Sequence, residues 1–241
     1  IIPILGYYFL KKKLNSYDAA AIAATYGSVS AVTFITASQF LDQNQITYGG
    51  HMAAAMALME SPAIILAVIL ASAAKSNKKQ SSLNLLHKSF TDGAQLLLIG
   101  AMIVGLFAGA TGERIMAPFS IDLFKGMLAF FLLDMGLMVA KNFKQVLNKP
   151  VYVLIYGVFA PPIHALLALL ICKIAGVDLG ETILLMILSA SASYIAVPAA
   201  LKYALPQANP SLYFGMSLGL TFPINIIIGI PLYTFVAKLF F

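Results

Sequence analysis

The chain has 241 residues, 61% of them hydrophobic and 10% charged, with a mean hydropathy of +0.91 and a formal charge of +6. A soluble domain carries roughly a quarter charged residues, so this composition excludes a solvated globule, a disordered tail and a nucleic-acid binder, and marks an integral membrane protein. A single cysteine, Cys172, excludes a disulfide framework and a cysteine-rich metal site.

Eight apolar stretches follow one another, at 1–14, 18–41, 48–74, 90–110, 118–140, 150–176, 178–201 and 210–240. A helix needs about 20 residues to cross a hydrocarbon core, and all but the first stretch are long enough. None alternates with period two, so the fold class is an all-α polytopic membrane protein and not a β-barrel. The first stretch, Ile1 to Lys13, reads as the back half of a helix whose start is absent, and no charged segment before it suggests a signal peptide.

The basic residues give an orientation. Lys11, Lys12, Lys13, Lys75, Lys78, Lys79, Lys88, Lys141, Lys144, Lys149 and Lys202 fall on one side if the stretches alternate, which is eleven of the fifteen Lys and Arg. Arg114, Lys125, Lys173 and Lys238 fall on the other. The positive-inside rule makes the richer side cytoplasmic, so the expected address is the plasma (inner) membrane, with loop 75–88 cytoplasmic and the C-terminus outside.

The chain resembles itself at an offset of 161: Ser28 falls on Ser189, Ser30 on Ser191, Pro62 on Pro223 and Lys12 on Lys173. The paired residues lie five stretches apart, an odd number, so the halves run in opposite directions through the bilayer. That is an inverted repeat, a common plan of secondary transporters. Residues 1–74 read as the C-terminal part of the first repeat, 75–89 as a cytoplasmic loop and 90–241 as the second repeat. On this plan about 70–85 residues precede Ile1 in the whole protein, which has five plus five crossings.

Two hydroxyl-rich runs sit at repeat-related positions near the middle of their stretches. One is Gly27-Ser28-Val29-Ser30-Ala31-Val32-Thr33, the other Ser189-Ala190-Ser191-Ala192-Ser193-Tyr194. One run of small residues reads most simply as helix packing, its hydroxyls bonded back to the helix. Two at matched depth read instead as a substrate site, with Gly27, Ser28, Ser30, Thr33, Ser189, Ser191 and Ser193 as candidates.

The next pair of stretches carries central prolines, in Glu60-Ser61-Pro62 and in Thr221-Phe222-Pro223-Ile224-Asn225. Proline frees carbonyls in the preceding turn, and carbonyls are hard ligands for Na+. A simple kink is the plainer account of either proline alone. Glu60, Thr221 and Asn225 are the cation candidates, with Na+ expected near Glu60. Asp134 also lies inside an apolar stretch, and lipid exposure would cost either carboxylate about 2.5–3.5 kcal/mol, so both are expected to face the protein interior. His164 reads as a hydrogen-bonded interior histidine, His51 and His87 as solvated. No zinc-protease, P-loop or nucleophile-elbow motif occurs, so an enzyme is not expected and the driving force must be an ion gradient.

Longer segments carry a resemblance. Ser189-Ala-Ser-Ala-Ser-Tyr-Ile-Ala-Val-Pro-Ala-Ala200, Pro118-Phe119 with Asp122-Leu-Phe-Lys-Gly126, Leu132-Leu-Asp-Met-Gly-Leu137, and Thr221-Phe-Pro-Ile-Asn225 with Gly229-Ile-Pro-Leu-Tyr233 are similar to signatures of the cyanobacterial sodium-dependent bicarbonate transporter family. The resemblance covers nearly the whole chain and is densest from Gly100 onward. It implies Na+-driven bicarbonate uptake, a substrate site between the crossing helices that hold Gly27–Thr33 and Ser189–Ser193, a homotrimer, and a PII-like regulator docking on the cytoplasmic face. It implies no cofactor beyond Na+ as the coupling ion. The chain departs from the family pattern at Ala31 and Val32, where one hydroxyl is lost, and at Glu60, where the pattern has Asp. Two rival readings remain at this level: Na+-coupled transport of another small anion, and a passive anion channel.

Overall fold

The computed structural model describes residues 1–73 and 93–241. The expected cytoplasmic loop 75–89, with Lys75, Lys78, Lys79, His87 and Lys88, lies outside the described residues. The described part is helical, with no strand among those residues: α1 (Ile2–Leu10), α2 (Ser16–Gly27), α3 (Ala31–Gln43), α4 (Met52–Ala73), α5 (Gly93–Ala117), α6 (Phe124–Leu147), α7 (Val151–Ala175), α8 (Leu179–Ala190), α9 (Ala196–Ala204) and α10 (Pro210–Phe240). Four stretches are long and apolar enough to cross a membrane by length and composition: Ser16–Gln43, Gly100–Lys141, Val151–Ala175 and Pro210–Phe240. The all-α polytopic reading holds.

The expected single crossings at 18–41 and 178–201 are each two helices. α2 stops at Gly27 and α3 starts at Ala31, with Ser28 and Ser30 extended between them (φ −102°, ψ −177° and φ −112°, ψ 114°). α8 stops at Ala190, Ser191 is extended (φ −75°, ψ 164°), and α9 starts at Ala196. Serine hydroxyls compete with the helix for backbone groups, which is why the chain leaves the helix at these runs. The order half-helix, break, half-helix, loop, long helix thus occurs twice, as α2-α3-α4 and as α8-α9-α10.

The prolines do not break their helices. α4 continues through Pro62, and α10 continues through Pro223 with π-helical turns at Ser217–Thr221 and Asn225–Gly229 on either side. A wider turn absorbs the missing N–H without ending the helix. The helix ends lie instead at the serine runs.

Residues 93–147 are helical on either side of a break at Gly109, and beyond it Pro118 opens a π-helical turn (Pro118–Leu123) that accommodates its missing N–H. The φ of 54° and ψ of −154° at Gly109 favour glycine. The apolar span of 42 residues in this region is largely exposed. At about 1.5 Å per residue that is roughly twice a hydrocarbon thickness.

Packing divides along the two breaks. One cluster gathers α1, α2, the start of α7 (Val153, Tyr156, Ala160), α9 (Val197, Leu201) and the start of α10 (Leu212, Met216). The other gathers α3, α8, the start of α4 (Met52, Met56), the end of α7 (Ala165, Leu169) and the end of α10 (Ile230, Tyr233). Each half-helix therefore packs beside the opposite half of the other broken pair. Small residues make this approach possible: Ala19, Ala20, Ala21, Ala23 and Ala24 of α2 are all fully buried.

Asp134 corrects an expectation. It is exposed on α6, on the same open side as Phe130, Leu133 and Leu137. α6 instead turns Phe131, Leu132, Met135 and Met138 toward α10, and a carboxylate one position away from Met135 is swung off that face.

Candidate functional site

The two breaks touch. The Ser30 amide donates to Ser191 Oγ at 3.0 Å, and the Ser193 amide donates to the Thr25 carbonyl at 2.9 Å. Both breaks are at the midpoint of their stretches, and Ser28, Ser30, Thr33, Ser191 and Ser193 are all buried. Ser189 is half-buried.

An account of the hydroxyl hydrogens separates structural from available groups. Ser28 Oγ donates to the Glu60 carbonyl at 3.0 Å. Ser191 Oγ donates to the Leu188 carbonyl at 2.7 Å. Thr33 Oγ1 donates to Ser30 Oγ at 2.9 Å. These three hydrogens are committed. Ser30 Oγ accepts from Thr33 Oγ1 and from the Thr33 amide (3.2 Å), so it caps α3 with its own hydrogen unspent. Ser193 Oγ accepts from the Val197 amide at 3.2 Å and is likewise left with its hydrogen. The first amides of α3, at Ala31 and Val32, have no intrahelical acceptor. Two free hydroxyls and a helix N-terminus, the positive end of its dipole, suit an anion.

Gly27 plays a different part. A Cβ there would collide with the Pro3 ring, so the glycine lets α1 lie against the end of α2.

The cation candidates have different partners. Glu60 is half-buried on α4, and its backbone carbonyl holds it against the α2–α3 break. Thr221 is buried on α10, where it donates to the Gly157 carbonyl (3.0 Å) and meets the Tyr26 hydroxyl (2.6 Å). Asn225, four residues on, donates to the Ala190 carbonyl (2.8 Å) at the end of α8 and accepts from the Tyr233 hydroxyl (3.3 Å). Thr221 and Asn225 thus tie α10 to α7 and α8; Glu60 meets the first break at Ser28, and Asn225 meets the second at Ala190. Among the described residues no group of three or more His, Cys, Asp and Glu could hold a metal ion. Na+ does not need one, since carbonyl oxygens serve it.

His164 on α7 is buried with its imidazole facing the Ser189 backbone, and its Nδ1 has no partner among the described residues. His51 is exposed, as expected.

Sequence reading missed two carboxylates that close the ends of the core. Asp18, in the first turn of α2, accepts from the Asn209 amide (2.7 Å) in the loop before α10 and from Asn15 Nδ2 (2.6 Å). Glu181, in the first turn of α8, accepts from the Gly49 amide (2.8 Å) in the loop before α4. Each broken helix therefore binds the loop of the other half. The signal for the first was present: Asn15 followed by Asp18 before an apolar run is a helix start.

A family model for the Na+-dependent bicarbonate transporter superfamily matches residues 1–238. The chain belongs to this superfamily. No curated protein matches it. Superfamily membership makes the protein a transporter by family, and it accords with the apolar spans and the crossed breaks described above.

Proposed function

We propose that this member of the superfamily carries bicarbonate inward with Na+, as a symporter working by alternating access. The observation that supports it most is the contact of the two breaks, with the capped N-terminus of α3 and two unspent hydroxyls on one side and Glu60 against the same break. Bicarbonate is small, flat and singly charged. Hydroxyls, amides and a neighbouring Na+ can bind it without an arginine, and the one arginine here, Arg114, is exposed on α5. In this reading Na+ lies near Glu60 and completes the anion site. The anion then binds well only when the cation is present, which is positive coupling and enforces symport.

The same proposal includes residence in the plasma membrane with loop 75–88 cytoplasmic, assembly as a homotrimer and a PII-like regulator on the cytoplasmic face. Uptake of labelled bicarbonate by proteoliposomes tests it. Saturable uptake that requires an inward Na+ gradient is expected. Na+-dependent uptake of a different small anion only would change the cargo, and non-saturating uptake without Na+ would make the protein a passive channel.

A further inference from the structure

Three buried polar side-chain atoms lack a hydrogen-bond partner among the described residues: the Tyr156 hydroxyl, His164 Nδ1 and the Tyr194 hydroxyl. The Tyr156 hydroxyl is packed against Gly6 of α1, and His164 lies on α7. Tyr194 alone is in a break, between Ser193 and the start of α9. It is 3% exposed. Its ring is fixed by apolar walls, tilted against Phe222 at 4.9 Å between centroids, with Met135 of α6 and Leu218 of α10 around it. Its hydroxyl faces Ser30 across the crossing.

We propose that Tyr194 is a substrate-binding residue whose hydroxyl donates a hydrogen bond to the transported oxyanion, beside the Ser30 hydroxyl and the first amides of α3. This rests on the anion-site reading of the crossing. A buried hydroxyl without a partner is unfavourable and calls for a ligand that supplies one. Ser30 can offer Tyr194 its hydrogen but no acceptor, because its oxygen already accepts twice from Thr33, so the Tyr194 hydrogen is left to a ligand. An oxyanion between them accepts from both. Its several acceptor oxygens can also take the Ala31 and Val32 amides, which a donor-bearing neutral solute of the same size does less well. The rigid ring brings the donor to the site with little conformational entropy to lose. The same ring carries α6 as a neighbour, so the occupied hydroxyl stands at the seam between the crossing and the exposed helix.

The test is labelled bicarbonate uptake by the full-length protein in proteoliposomes under an inward Na+ gradient, for the parent and for Tyr194→Phe. The variant keeps the ring and its contact with Phe222. We expect its apparent KM for bicarbonate to rise about tenfold or more, as loss of a hydrogen bond to a charged group predicts, with an unchanged maximal rate and an unchanged melting temperature in the absence of bicarbonate. An unchanged KM beside an active parent overturns the proposal and leaves the transport reading standing. A parent that takes up no bicarbonate overturns the transport reading, and the proposal falls with it. If Tyr194→Phe fails to assemble, 3-fluorotyrosine at position 194 gives a second measurement. Its fluorine resonance is expected to move when bicarbonate is added to the Na+-loaded protein, and a stationary resonance overturns the proposal.

Discussion

The amide of Ser30 donates to the hydroxyl of Ser191, its partner 161 residues along the chain, at 3.0 Å. Ser30 is the N-cap of α3 and Ser191 the C-cap of α8, and their hydroxyls do unequal work. Ser191 Oγ gives its hydrogen to Leu188 and a lone pair to Ser30, so it holds the crossing together. Ser30 Oγ accepts twice from Thr33, and its own hydrogen is not spent on that cap.

Substitution to alanine should separate these roles. Ser191→Ala leaves the buried Ser30 amide without an acceptor, at a cost of about 1–3 kcal/mol, and should lower the melting temperature in detergent. Ser30→Ala removes the cap of α3, at about 1 kcal/mol, and the free donor as well. Its apparent KM for bicarbonate should rise about tenfold, with a smaller loss of stability than in Ser191→Ala. Equal effects of the two changes on both readouts would contradict the division of labour.

The carboxylates at the two ends of the core make a second prediction. Asp18 is buried and accepts from the Asn209 amide and from Asn15, while Glu181 accepts from the Gly49 amide. Asp18→Ala should cost about 1–3 kcal/mol, because a buried amide loses a charged acceptor. Glu181→Ala, at a half-buried site, should cost less. Differential scanning fluorimetry of both variants checks the order, and a more damaging Glu181→Ala would reverse it.

Gly180 precedes Glu181, and a Cβ there would run into the Thr47 carbonyl. Backbone cannot yield as a flexible side chain can. Gly180→Ala should therefore push the loop before α4 away from α8 and loosen the Glu181–Gly49 contact. Limited proteolysis at 44–51 should speed up in the variant, and an unchanged digestion pattern would show that the loop tolerates the methyl group.

Much of this was legible in the sequence because like residues recur at a fixed offset of 161. Ser30 and Ser191 were marked by their offset alone, and they are in contact. Pro62 and Pro223 do not end their helices, since a lost hydrogen bond is a local defect that α4 and α10 accommodate, whereas extended serines end a helix outright. Asp134 misled, because apolar surroundings in sequence do not tell which side of a helix turns inward. The availability of a hydroxyl hydrogen was not legible at all, because it depends on partners such as Leu188 and Glu60 that only folding brings close.

Glu60 carries the last prediction. Its backbone carbonyl accepts from Ser28 at 3.0 Å, so α4 delivers a carboxylate-bearing residue to the break whose far end caps the anion candidate site. The residue 161 positions on, Thr221, is neutral and donates to Gly157. Na+ and a singly charged anion balance each other, so an ionised Glu60 leaves one net negative charge, and a second carboxylate would leave two. Glu60→Gln keeps an oxygen and the side-chain shape but removes the charge, and the backbone bond to Ser28 is untouched. The Na+ concentration for half-maximal bicarbonate uptake should rise about tenfold in Glu60→Gln, equivalent to about 1.4 kcal/mol of lost cation binding. Glu60→Asp should raise it less, since the charge remains on a shorter arm. Both variants should insert and melt like the parent. An unaltered Na+ requirement in Glu60→Gln would mean that the carboxyl bonds a neighbouring helix in its neutral form, as buried carboxyls can, and the cation would then have to be sought at the carbonyl ends of α2 and α8.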